Sequence, residues 1–170
     1  MLSTNMITML NAQINKEFYS AYLYQEFANY YGEVGLDGFQ NWFNVQAKEE
    51  LAHGMLFINY LLDNGAKVDL KAIEDPSQTF VDFKAPLTAA LEHEKEITKS
   101  INALYECAVE DKDYRSQQIL DWFVKEQYEE EINASDLITR YELFGEDKRS
   151  LWEINNELKN RSYSEPNIDM

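Results

Sequence analysis

Apolar residues in this chain return at alternating spacings of three and four, the period of helices that bury one face. One such line runs Ile7, Leu10, Ile14, Glu17, Ala21, Tyr24, Ala28, and a second runs Phe39, Phe43, Gln46, Glu50, His53, Phe57, Tyr60. A third reads Leu87, Leu91, Glu94, Thr98, Ile101, Tyr105, Ala108, and a fourth Leu120, Phe123, Gln127, Glu130, Ala134, Leu137, Tyr141. Most of the six glycines and three prolines gather where these lines stop. Ser3 or Thr4 caps a first helix over about 4–32, ended by Gly32 and Gly35. Asp37 caps a second over about 37–64, with Gly65 as its stop. Pro86 suits the first turn of a third, about 84–111. Asp113 or a neighbour opens a fourth, about 114–144, with Gly145 behind it. A short fifth helix over about 147–160 and a polar, frayed tail over 161–170 complete the chain.

Four long helices and one short one in a single domain predict an all-α four-helix bundle. The connection over 65–83 contains Pro76, lacks helical period and is too long for a turn. Extended at about 3.3 Å per residue it reaches roughly 65 Å. A 28-residue helix is only about 42 Å long. The third helix is therefore free to run parallel to the second, which gives a bundle with one long crossover and a short fifth C-terminal helix.

Every apolar line is interrupted by a carboxylate near the midpoint of its helix. Midpoints share one level of a bundle whichever way the helices run, so Glu17, Glu50, Glu94 and Glu130 should meet in one layer, with His53 one turn from Glu50. A single glutamate on a helix is ordinarily a solvated residue, and Glu-Glu runs are ordinarily exposed faces. Four helices placing their odd residue on the same line at the same depth is a different matter. Buried carboxylates without lysine or arginine beside them repel one another and forfeit hydration, at several kcal/mol each. One or two bound dications remove that difficulty. Carboxylates with one imidazole suit iron or manganese and leave positions open for dioxygen. Glu50-Leu51-Ala52-His53 has the Glu-x-x-His spacing of carboxylate-bridged two-metal bundles, and the fourth helix has Gln127-Tyr128-Glu129-Glu130 at the matching place.

Charge agrees with a cationic ligand. The 170 residues carry 31 acids against 15 bases, a formal net charge of −16, which disfavours nucleic acid and anionic membranes and favours cations. No signal peptide is evident, and no run of about 18 apolar residues exists to span a membrane. The one cysteine, Cys107, reads as a buried helix thiol. It excludes paired cysteine knuckles and a disulfide framework, and it fits a cytoplasmic location.

With Glu17, Glu49-Glu50-x-x-His53, His93-Glu94 and DWFVKEQYEEE in place, the chain resembles a bacterial non-haem ferritin from about residue 3 to 160. The resemblance implies a ferritin-like bundle that oxidises Fe²⁺ with O₂ or peroxide and stores ferric mineral in a homo-oligomeric cage of about 24 subunits. It implies that Glu17, Glu50 and His53 hold one iron and that Glu50 bridges to a second held by Glu94 and Glu130, with Gln127 close by. It further implies a third iron at Glu49, Glu126 and Glu129 together with Glu130, and a tyrosine, Tyr24, beside the two-iron centre. Tyr24 reads equally well as a bundle aromatic, and His93, off the apolar line, as structural. Leu51 stands where bacterioferritins have a haem-ligating methionine, and the second Glu-x-x-His is missing, so no haem is expected. Rubrerythrins need four cysteine ligands that this chain lacks. Miniature DNA-protecting ferritins place their site between subunits, whereas this ligand set is complete within one chain. A two-iron peroxidase or oxygenase, and a non-catalytic metal-buffering scaffold, remain as alternatives.

Overall fold

The computed structural model describes residues 2–166 and Ile168. Among them the regular elements are five helices, α1 (Thr4–Glu33), α2 (Asp37–Asp63), α3 (Ala85–Glu110), α4 (Tyr114–Phe144) and α5 (Lys148–Leu158), with no strand. Local chemistry sets most ends. Ser3 accepts from the Met6 N–H to open α1, and Asp113 does the same for Ser116 at α4. Gly35 and Gly65 take positive φ, 80° and 69°, directly after α1 and α2. Pro86 lies in the first turn of α3, where no N–H is needed.

α2 departs from expectation. Its N-cap position is Leu36, which makes no side-chain cap, and Asp37 is already the first helical residue. The cap arrives from a distant part of the chain. Asn155 of α5 accepts from the N–H groups of Gly38 (2.8 Å) and Phe39 (3.3 Å), and its amide donates to Asp37 Oδ1 at 2.9 Å. Gly38 permits this approach, since a Cβ there would stand 1.6 Å from the Asn155 carbonyl oxygen. Sequence alone favours Asp37 because a local cap is the only kind visible within a few residues.

The crossover shows how the bundle is threaded. Asn11 donates to Lys67 O at 3.1 Å and accepts from Asp69 N at 2.6 Å, Asn15 donates to Ala72 O at 3.3 Å, and Tyr31 donates to Phe83 O at 2.5 Å. The segment thus climbs the full length of α1, with Phe80 edge-on to Phe27 and Tyr30 near the top. α3 then descends to the start of α1, where Ser3 donates to Asp111 at 2.5 Å and Asn5 to the Cys107 thiol at 3.3 Å. It therefore runs antiparallel to α1 and parallel to α2.

Two apolar clusters fill the bundle. One gathers Leu10, Ile14, Phe57, Ile101 and Phe123, and the other Tyr24, Phe27, Tyr31, Phe43 and Leu87. On α3 the buried line is Leu87, Ala90, Glu94, Ile97, Ile101, Leu104, Ala108; Leu91, Thr98 and Tyr105 are only half-buried at its edge. The helix is turned by part of a step relative to the sequence pattern. The turn leaves Glu94, shared by both lines, inside. Between the two clusters lies a polar layer.

Candidate metal centre

The layer contains Glu17 of α1, Glu50 and His53 of α2, Glu94 of α3, and Gln127 and Glu130 of α4, each at most 4 % exposed. All four long helices contribute, so the bundle itself fixes the arrangement and no loop does. One ligand atom each from Glu17, Glu50 and His53 lies within 4.8 Å of the others, a separation one metal ion spans. His53 Nδ1 is 3.5 Å from Glu50 Oε2, and its Nε2 is 3.9 Å from Glu126 Oε1. The imidazole therefore has the inner layer on one edge and the outer acids on the other.

Glutamines hold the carboxylates in place. Gln13 donates to Glu17 Oε1 at 2.8 Å, Gln46 to Glu130 Oε2 at 2.8 Å, and Gln127 to Glu94 Oε2 at 3.0 Å. The Tyr24 hydroxyl donates to the other oxygen of Glu94, and the Ser100 hydroxyl donates to Gln13. Glu17 Oε2 stands buried, with no hydrogen-bond partner among the described residues. Since buried polar atoms are nearly always paired, this oxygen and the grouping of Glu17, Glu50 and His53 have the chemistry of a metal-ligand position. Tyr24 itself packs against Phe27, Phe43 and the His93 ring. His93 meets Ser20 Oγ at 2.7 Å, and burial pushes its imidazole down to about 4.

Burial governs the electrostatics. Desolvation raises all four carboxyls above the ordinary value, with Glu94 pushed up to about 7 and Glu130 to about 8. For Glu50, the nearby Glu94, Glu17 and Glu130 charges add to the burial effect, so it is raised well above the usual range. Burial and the Glu94 charge likewise push the Tyr24 phenol well up, keeping it a neutral donor. Among the described residues no lysine or arginine bonds to Glu17, Glu50, Glu94 or Glu130. An apolar fold holding four such acids stores a demand for positive charge.

The outer acids are arranged differently. Glu49 and Glu126 are half-buried and burial raises both, whereas Glu129 is exposed and 3.6 Å from Lys125. Glu49, Glu126 and Glu129 do not close into a metal-sized group as the inner three do. Glu49 instead meets Arg161 at 2.6 Å, a residue with no periodic signal in the sequence. Gln13 is another participant without a motif, whereas Gln46 and Gln127 are visible as polar breaks in the apolar lines.

Comparison with known proteins agrees with this architecture. A family model described as a Ferritin-like domain matches residues 7–144. A probable bacterial non-heme ferritin-like protein of Haemophilus influenzae is 36 % identical over 162 residues, covering 95 % of this chain and 98 % of the relative. A bacterial non-heme ferritin of Staphylococcus aureus is 36 % identical over 165 residues, covering 97 % and 99 %. Among solved structures, an open-pore ferritin from the archaeon Archaeoglobus fulgidus superposes with a TM-score of 0.93 at 41 % identity, covering 95 % of this chain and all of that one. A closed form of the same ferritin, engineered by site-directed mutagenesis, gives 0.94 at 40 % identity over 96 % and 100 %. With both the bundle and the near full-length relatives in agreement, this chain belongs to the ferritin-like family and groups with the bacterial non-haem ferritins.

Proposed function

We propose that the buried layer binds two Fe²⁺ ions as substrate and oxidises them to Fe³⁺ with O₂ or peroxide, and that the product is stored inside an assembly of about 24 chains. The observation that carries this reading is the group Glu17, Glu50 and His53 at metal-ligand separation, buried, with one carboxylate oxygen unpartnered among the described residues. In this reading Glu17, Glu50 and His53 take the first ion. Glu50 bridges to a second at Glu94 and Glu130, with Gln127 holding Glu94. Each Fe²⁺ gives one electron; the pair reduces O₂ with two protons to peroxide, or peroxide with two protons to water. Carboxylate ligands favour the higher charge of Fe³⁺ and so drive the oxidation. Tyr24, hydrogen-bonded to Glu94, fixes the side of that carboxylate facing away from Gln127. Glu49, Glu126 and Glu129, with Glu130, take a third ion as iron leaves the layer for an acidic interior.

Assembly is supported by apolar side chains left open on the single chain. Leu143, Phe144 and Trp152 are 67 %, 52 % and 65 % exposed around the α4–α5 corner. None of the five helices is long and apolar enough to cross a membrane. Stopped-flow mixing of Fe²⁺ with aerated protein tests the chemistry. Glu50→Ala combined with His53→Ala should slow the initial oxidation at least tenfold while the helical content stays; an unchanged initial rate would sink the assignment.

A further inference from the structure

Arg161 follows the end of α5 by three residues and reaches back onto α2. Its guanidinium carbon lies 4.6 Å from the Trp42 ring centroid. Nη1 donates to Trp42 O at 3.1 Å, and Nη2 donates to Glu49 Oε2 at 2.6 Å and to Gln46 Oε1. The backbone carbonyl of Arg161 accepts from Asn41 Nδ2 at 2.9 Å, and the same amide holds Leu158 O at 3.0 Å. The ion pair is sheltered, with Arg161 and Glu49 only 22 % and 19 % exposed. Gln46 in turn donates to Glu130 Oε2 at 2.8 Å. A continuous hydrogen-bonded line therefore joins the C-terminal segment to a carboxylate of the inner layer. Further along, Tyr163, Glu165 and Pro166 line a groove with Leu51, Ala52 and Met55 of α2.

We propose that Arg161 is a built-in counter-cation at the outer acids, and that an iron ion binding at Glu49 must displace it. The segment 159–166 then acts as a latch on the outer position. The inference rests on the reading that Glu49, Glu126 and Glu129 receive iron. A guanidinium stays charged at every physiological pH, so release of the latch does not come from Arg161 losing its own proton. A dication beside a fixed guanidinium meets like-charge repulsion and competes for the same carboxylate oxygen. Because linkage is reciprocal, Arg161 weakens outer iron by the same factor as outer iron weakens the docking of Arg161. Iron is thereby held loosely on its way out of the layer, and the returning arginine restores the acids for the next ion.

The test is anaerobic calorimetric titration of the full-length assembled protein with Fe²⁺ alone, on wild type, Arg161→Gln and Arg161→Lys, with hydrogen exchange followed at residues 159–166. The first two ions per chain should bind alike in all three. A third should bind roughly tenfold tighter in Arg161→Gln than in wild type, as expected for removing one charge-assisted hydrogen bond, with Arg161→Lys between them. In wild type, exchange at 159–166 should rise as the third ion loads. Equal third-ion affinity in wild type and Arg161→Gln, or unchanged exchange on loading, would overturn the latch while leaving the inner site intact. Two ions in every variant and never a third would overturn the outer site and the latch together. Fewer than two in wild type would overturn the inner site itself.

Discussion

At the scale of single residues, the centre is defined by unmet needs. Glu94, pushed up to about 7, and Glu130, to about 8, hold protons in the fold that they would lose in the unfolded chain near 4.5. The folded state therefore binds more protons than the unfolded state across that interval. Where that holds, stability falls as pH rises. Metal-free protein should lose stability to urea between about pH 4.5 and 8, with the loss complete above the folded values. Saturating a redox-inert dication such as Zn²⁺ at pH 8 should restore most of it, because the ion takes the place of the protons. A flat pH profile in the metal-free protein would mean that the carboxylates are better solvated than their burial indicates. Glu17, Glu50, Glu94 and Glu130 are legible in the sequence because each breaks an apolar line at its midpoint. Gln46 and Gln127 leave the same mark. Gln13 and Ser100 do not, since a polar residue beside an apolar line is ordinary; Gln13 reaches Glu17 from one turn earlier on α1, and only the fold brings Ser100 to Gln13.

At the scale of elements, the four long helices follow from periodicity, capping residues and glycine stops, and the sequence ranges lie within two residues of those observed. Long, strongly periodic helices are the features that sequence pattern defines best. The cap on α2 is different in kind. Asn155 lies more than a hundred residues from Gly38, so no local motif announces it. Asn155→Ala should destabilise the protein by about 1–2 kcal/mol, the usual cost of losing an N-cap plus the amide bond to Asp37, and should free α5 first. Hydrogen exchange that quickens in α5 and the first turn of α2 before any other element would bear this out. Unaltered stability would show that α5 is held by its apolar contacts alone. The C-terminal segment was opaque for a related reason. Arg161 belongs to a polar stretch without period, and its meaning comes from Trp42, Gln46 and Glu49 on another helix.

At the scale of the whole molecule, α2 and α4 are spaced by large side chains, with Phe57 and Phe123 stacked at 4.0 Å between them. That seam carries Glu50, His53, Gln127 and Glu130 on its inner side and Glu49, Glu126 and Glu129 at its outer mouth, which orders the acids into a path. With a net charge of −16 on each chain, a closed assembly would concentrate cations strongly, and its self-repulsion must be met by apolar interfaces. Native mass measurement should give about 24 chains of 19.9 kDa each, and Trp152→Glu should shift the population towards smaller species if the α4–α5 corner is buried between subunits. Only monomers or dimers in the wild type would remove the storage cage. The centre itself is tested most directly by an anomalous-scattering map at the iron edge, from crystals soaked anaerobically in Fe²⁺. The account predicts two strong peaks inside each bundle, one among Glu17, Glu50 and His53 and one among Glu50, Glu94 and Glu130, with a weaker third beside Glu49. Bundles without an iron peak in the polar layer would contradict it.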